Sequence, residues 1–409
     1  MMRYTVCVLT AAMLTSVGSL TADAAVSGPL AQYVSKEDAS YQWQETRQGT
    51  FGKTTYTEIV LTSQTWKGIA WKHQLYVIKP STVDSSARHA VLVIAGGRWR
   101  DEFGNASGDL KLPREAPIFS AVAEQLKAPV AVLLHVPFQP MFDGKVEDAI
   151  ISLTFENFLR TGDAEWPLLL PMVKSAVRAM DTVQSFCKDQ WSLDIDAFTI
   201  TGASKRGWTT WLTGAVDSRA KAIAPMVIDT LNMQPQMKHQ ITAWGDYSNK
   251  IHDYTERGLQ QHMATEKGRA LRAIVDPYAY RQSLKQPKLI MIGTNDHYWP
   301  LDALNLYWDD LVGEKYILYV PNNRHGLRDF PRIVGSLSAL YRHAAGGPKM
   351  PQLTWQFEND SQDLVLRVQS DPPPAKVQAW VADSDSRDFR QAVWQSRPMQ
   401  ADGTGHLFT

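Results

Sequence analysis

Three side chains in this sequence could do chemistry together: Ser204, Asp296 and His325 each stand just after a run of β-favouring residues. Ser204 ends the stretch Phe198-Thr-Ile-Thr-Gly-Ala-Ser204, and a helical pattern begins at once with Lys205. A serine on such a tight strand-to-helix turn has its hydroxyl pushed out above a sheet edge. The helix start then offers free N–H groups and a positive dipole end to a developing oxyanion. The run 288–293 leads into Thr294-Asn-Asp296, and the run 315–320 leads into Pro321-Asn-Asn-Arg-His325. In that order His325 takes the proton of Ser204 and returns it to the leaving group, while Asp296 orients the imidazole and stabilises its charged form. The chemistry is acyl transfer through a covalent acyl-enzyme, with an ester as the first expected substrate and a peptide or amide as the second.

Each of these residues alone has a bland reading. A serine in a Gly-x-Ser turn is more often structural, an aspartate after a strand often caps a helix, and a loop histidine is usually solvated. Three of them in order at three strand ends tip the balance toward a site. The oxyanion needs a second donor besides the Lys205 N–H, and the loop after the strand 90–95 offers Gly97 or Arg98. A plain tight turn at Gly96-Gly97 is equally compatible with the sequence. Asp229, at the end of the run 222–228, is the alternative acid. Nothing in this set calls for a cofactor or a metal.

These positions require strands that run parallel and gather their ends on one side. From residue 90 to 345 apolar strands alternate with helical segments: strands over 90–95, 130–136, 198–201, 222–228, 288–293 and 315–320, helices over 117–126, 146–160, 166–186, 303–311 and 332–345. That alternation predicts a mostly parallel α/β sheet. The segment 138–192 holds more helix than one crossover needs, and 230–283 is a long insertion, so both are expected to contribute caps over the sheet. Upstream, 26–48 reads as loop with one short helix, and 55–65 with 73–79 as a hairpin. After Gly346-Gly347-Pro348 the helices stop, and short strands over 353–357, 364–368, 376–381 and 391–394 suggest a β-sandwich-like appendage. About four strands fall short of the seven or so of a sandwich, so the appendage reads as incomplete. The expected organisation is therefore a signal segment 1–25, an α/β-hydrolase-like domain 26–348 and the appendage 349–409.

Composition bounds the partners. Lys plus Arg and Asp plus Glu number 42 each, so no basic excess points to nucleic acid. With 14 tryptophans and 44% hydrophobic residues, 409 residues can bury one large core and still supply a small second domain. Met1-Met-Arg3, the apolar stretch 4–20 and Thr21-Ala-Asp-Ala-Ala25 have the three regions of an export signal, after whose cleavage no membrane span is expected. Cleavage would remove Cys7 and leave Cys187 as a buried structural thiol with no disulfide partner.

One departure from the Gly-x-Ser-x-Gly pattern is plain: Arg206 stands where the second glycine would be, and Gly207 follows one residue late. In Gly202-Ala-Ser-Lys-Arg-Gly-Trp-Thr-Thr-Trp211, Ala224-Pro-Met-Val-Ile-Asp229, Gly293-Thr-Asn-Asp296 and Ser386-Arg-Asp-Phe-Arg390 the chain resembles the PhoPQ-activated pathogenicity-related proteins. The resemblance covers most of the chain after the signal segment. It implies an exported α/β-hydrolase-like protein with a β-sandwich appendage and Ser204, Asp296 and His325 in the triad places, but no settled substrate. A serine hydrolase and a non-catalytic secreted binding protein on the same scaffold are both compatible with it. The turn is also similar to the Gly-x-Ser-Arg-x-Gly turn of glucuronoyl esterases, by analogy only. Lys205 or Arg206 could on that analogy face a substrate carboxylate. The favoured expectation is that Arg206 instead packs its stem or pairs with a carboxylate of the protein.

Overall fold

The computed structural model describes residues 27–104, 112–360, 363–402, 405 and 407–408; the signal segment expected over 1–25 lies outside them. Helix α1 (Pro29–Ser35) is followed by a strand where the sequence reading expected loop, β1 (Gln42–Phe51). It is the first strand of the sheet, is paired on one side only, and stays half-exposed along its length. An edge strand with a solvated face needs few apolar residues, so its polar sequence carries no strand signal. Strands β2 (Thr54–Trp66) and β3 (Ile69–Lys79) form the expected antiparallel hairpin across the turn at Lys67-Gly68.

The apolar runs that follow form β4 (His89–Ile94) and β5 (Val130–Leu133), with α2 (Ala116–Leu126) between them. Next come α3 (Asp148–Thr161), α4 (Leu169–Trp191), β6 (Ala197–Ala203), α5 (Lys205–Val216) and β7 (Ala220–Met226). The long insertion supplies α6 (Met233–Trp244), α7 (His252–Thr255), α8 (Leu259–His262) and α9 (Glu266–Val275). Strands β8 (Lys288–Gly293) and β9 (Lys315–Val320) and helix α10 (Phe330–Ala344) close the α/β part. The nine strands lie in the order β1-β2-β3-β5-β4-β6-β7-β8-β9, with every pairing from β5 to β9 parallel. Alternate residues of β4 serve opposite faces: Ala90, Leu92 and Ile94 join the cluster of α4 and α5, whereas Val91 packs with Val122 of α2 and Tyr341 of α10. Both faces are thus covered, which is why these strands read as continuous apolar runs.

Of the two helical segments expected between 138 and 192, α4 packs into the core, and α3 joins α6, α7 and α8 over the carboxyl ends of the strands. The helix expected over 303–311 is reduced to a single 3-10 turn, Ala303–Leu306. The carbonyls of Trp308 and Leu311 accept from Lys315 Nζ, and the Tyr307 ring is fully buried, so the backbone turns away from helix geometry there.

The C-terminal residues form β10 (Gln352–Asp360), β11 (Asp363–Asp371), β12 (Gln378–Val381), β13 (Gln395–Pro398) and β14 (Leu407–Phe408) in two small antiparallel sheets, β10-β11-β14 and β12-β13. Residues 391–394, expected as strand, are not in one, because their polar backbone groups pair with loops of the main sheet as described below. No helix among the described residues is long and apolar enough to cross a membrane.

Cys187 is buried on α4, and burial pushes its thiol up to about 12. A thiol so far from ionisation is inert. Dithiothreitol should therefore leave the melting temperature unchanged, and a thiol reagent should modify Cys187 only after denaturation. A reductant-dependent fall in melting temperature would reveal an intermolecular disulfide instead.

Candidate active site

The turn between β6 and α5 places Ser204 at φ 60°, ψ −123°, a sparsely populated conformation held by the Ser204 N–H bond to Met226 O at 2.8 Å. Two glycines permit it. A Cβ on Gly202 would lie 2.7 Å from Arg206 O, and one on Gly207 would lie 2.7 Å from Met226 O and 2.8 Å from the Ile228 side chain. The glycine that follows one residue late is therefore the one that lets α5 pack against β7, and Arg206 is free to turn elsewhere.

Strands β8 and β9 end beside this turn and bring in the other two residues. Ser204 Oγ lies 2.9 Å from His325 Nε2, and His325 Nδ1 lies 2.9 Å from Asp296 Oδ2 and 3.1 Å from Oδ1. With the proton on Nδ1 donated to Asp296, Nε2 is free to accept from the serine hydroxyl, the tautomer a general base requires. Asp296 is buried and also accepts the Tyr298 N–H at 2.8 Å, which fixes its orientation. The Tyr298 ring stacks on His325 at 3.9 Å between centroids. Sequence reasoning did not single out Tyr298; the only local signal was an aromatic residue two positions after the acid.

Asp229, the alternative acid, is not bonded to His325. It is buried and accepts the Tyr307 hydroxyl at 2.6 Å. Burial raises its carboxyl to about 7; the Tyr307 bond opposes this and the negative charges of Asp296 and Asp302 add to it.

The Lys205 N–H is in the first turn of α5, where no preceding carbonyl of the helix can accept it, and so it is available to an anion. For the second donor, Ile94 is registered with Gly202, so the loop of Gly97 and Arg98 leaves β4 beside the serine turn. Gly97 has φ +128°, and a Cβ there would lie 2.7 Å from His135 Nδ1. Neither the Gly97 nor the Arg98 N–H donates to another backbone group among the described residues.

The charges next to the serine are spoken for. Arg206 donates to both carboxylate oxygens of Glu147, at 2.8 and 2.6 Å, and to Val136 O. Lys205 Nζ lies 2.8 Å from Asp148 and 3.5 Å from Glu147. For Arg206 a carboxylate of the protein is one of the two partners favoured from sequence, and with Lys205 paired as well neither cation is free for a substrate carboxylate. The two acids begin α3, so the ion pairs tie that cap helix to the serine turn. Burial opposes ionisation of Glu147, but the hydrogen bonds and charge of Arg206, with help from Gln139 and Lys205, lower its carboxyl to about 2.

Breaking one partner of a buried, hydrogen-bonded pair strands the other charge. Glu147 keeps 34% of its side chain exposed, and water recovers part of that loss, so Arg206→Met should cost about 3 kcal/mol, the low end of the range for such pairs. Because the folded carboxyl is lowered, its stabilisation is present above the unfolded value of 4.5 and is lost as pH falls toward 2. Urea unfolding of wild type and Glu147→Gln should accordingly differ most at neutral pH and converge in acid. A constant difference would assign the effect to packing alone.

Beneath the cap, Ser204 and His325 open onto an apolar pocket lined by Phe155, Trp208, Val227, Met233, Met237 and Trp299. On the other side, the C-terminal segment braces the loops of the acid and the base. Asn295 Nδ2 donates to Phe389 O at 3.1 Å and Ala392 O at 2.8 Å, while Asn322 exchanges two bonds with the Trp394 backbone, at 2.9 and 2.8 Å. Arg390, held by Asp388, stacks over Trp244 of α6 at 4.2 Å. The Ser386–Arg390 motif is thus a clasp joining the C-terminal residues, the cap and the Asp296 loop. Among the described residues no group of three or more His, Cys, Asp or Glu is placed to hold a metal ion.

The sequence model of the PhoPQ-activated pathogenicity-related proteins matches residues 30–390. The chain is 33% identical over 389 residues to autocrine proliferation repressor protein A of Dictyostelium discoideum, covering 89% of this chain and 76% of that protein. Among solved structures it is similar to the acetyl xylan esterase from Paenibacillus sp. R4, with a TM-score of 0.51 and 15% identity, over 75% of this chain and 92% of that one. Acetyl xylan esterase 1 from Thermoanaerobacterium sp. JW/SL YS485 gives a TM-score of 0.52 and 14% identity, over 76% and 91% of the two chains. At such identities the likeness is one of fold, the α/β-hydrolase scaffold.

Proposed function

The chain belongs to the PhoPQ-activated pathogenicity-related protein family, and we propose that it is an exported serine esterase working through an acyl-enzyme. The observation that carries this reading is the unbroken hydrogen-bonded line from Ser204 Oγ through His325 to Asp296 at the mouth of an apolar pocket. In the reaction Ser204 Oγ attacks the ester carbonyl as His325 Nε2 takes its proton, and Asp296 stabilises the imidazolium. The carbonyl oxygen becomes an oxyanion facing the Lys205 N–H, with Gly97 or Arg98 supplying the second donor. Collapse breaks the bond to the alcohol, which leaves with the proton from His325. Water, activated by the same histidine, then releases the acid. A pocket walled by methionine and tryptophan side chains suits an apolar acyl group, and with Lys205 and Arg206 already paired an acidic acyl group gains nothing there. Export is supported by the charged, apolar and small-residue regions of 1–25.

A second reading, a secreted signalling or binding protein on a hydrolase scaffold, is favoured by the name of the Dictyostelium relative, a proliferation repressor. A fluorophosphonate probe separates the two. The esterase reading expects covalent labelling that is lost in Ser204→Ala. A well-folded protein that takes up no label, and cleaves neither ester nor peptide substrates, belongs to the second.

A further inference from the structure

We infer that a second cavity, between the carboxyl-side loops of the main sheet and the C-terminal sheets, binds a neutral oligosaccharide chain. The cavity has a volume of about 340 Å³ and shares no lining residue with the pocket at Ser204. That volume lies in the range of ligand sites. Its apolar walls are Trp380 and Trp394 from the C-terminal residues, facing Tyr319 and Pro321.

The polar groups converge on the same space. Asp302 uses Oδ1 to accept from His239 at 2.6 Å, which leaves Oδ2 to a ligand. The exposed Asn305 offers an amide with both a donor and an acceptor. The Tyr319 hydroxyl donates to Leu301 O at 3.3 Å, which leaves its oxygen to accept from a ligand.

The chemistry of this set selects its ligand. Indole rings beside an amide, a hydroxyl oxygen and one carboxylate match a pyranose ring, which has an apolar C–H face and a rim of hydroxyls. Asp302 is the one charged group of the lining, so an anionic ligand is repelled. A cationic ligand would find the Trp380 ring already holding the Arg332 guanidinium, 5.6 Å from its centroid and paired with Asp329 at 2.8 Å. A neutral sugar chain meets neither penalty. Thr294 and Pro321 in the cavity wall are chain neighbours of Asn295 and Asn322, which brace the Asp296 and His325 loops.

The binding does not depend on hydrolysis, so its test is separable from that of the esterase reading. The full chain and its Ser204→Ala variant are titrated with xylohexaose, cellohexaose and mannohexaose, followed by tryptophan fluorescence and calorimetry. The expected result is saturable binding of at least one of them, equal in both proteins. It should be weakened about tenfold or more by Trp380→Ala and by Asp302→Ala, as loss of a stacked ring or a charged acceptor implies. Trp380→Ala should keep the wild-type melting temperature, whereas Trp394, whose backbone also holds Asn322, is left intact. No saturable binding by folded protein at millimolar sugar overturns the inference. So does binding that survives both substitutions, or saturable binding of choline in place of the sugars.

Discussion

Ser204→Ala and His325→Ala are each expected to lower kcat for a carboxylic ester by about a millionfold, with melting temperatures within a few degrees of wild type. The size follows from how such residues act: a nucleophile without its base, or a base without its nucleophile, leaves only oxyanion stabilisation and binding, and single losses of this kind cost about 10⁶ in kcat. The double variant should lose no more than either single one, because the two side chains act as a unit. The structural cost is small, since Ser204 is only partly buried and keeps its backbone bond to Met226 O without its side chain. Steady-state rates with a p-nitrophenyl ester check the point. Hydrolysis that persists at wild-type rate in Ser204→Ala would place the chemistry, if any, outside this site.

Asp296→Asn should lower kcat by about 10⁴, the loss found when a triad acid becomes an amide that holds the imidazole in the wrong tautomer. The new amide would donate to His325 Nδ1, so the ring proton would sit on Nε2, which could then no longer accept the proton of Ser204. Asp229→Asn serves as the contrast. That carboxyl points to Tyr307 rather than to His325, so its loss should leave kcat within about tenfold of wild type. Ionisation of Asp229 works against the fold: its raised carboxyl contributes most when protonated, and that contribution is lost as pH rises from 3.8 through about 7. Near-normal rates in Asp296→Asn beside an inactive Asp229→Asn would move the acid's role to Asp229.

The Trp380→Ala and Asp302→Ala variants add a third axis, since they test glycan capture while leaving hydrolysis of a small ester in place. Together the variants test the proposed chemistry at the strand ends apart from the proposed glycan binding beside the C-terminal residues.

The amino-acid sequence by itself determined the parallel strands, the strand-to-helix turn at Ser204, and the strand ends that precede Asp296 and His325. These are local matters: a strand buried on both faces must be a continuous apolar run, and a turn with φ near 60° above a close-packed helix must have glycine beside it. Strand β1 escaped because an edge strand with a wet face needs no apolar run. The turn over 303–311 escaped because its carbonyls bond to Lys315 and not along a helix.

Which polar groups meet was left to the tertiary structure. Arg206 and Glu147 are 59 residues apart in the chain, Asn295 and Ala392 97 apart, and nothing in either local sequence names its partner. The choice between Asp296 and Asp229 has the same origin. Both follow a parallel strand, and only the packed sheet decides that one faces His325 while the other is buried against Tyr307, because strand periodicity sets where a side chain starts and not what lies across the space it enters.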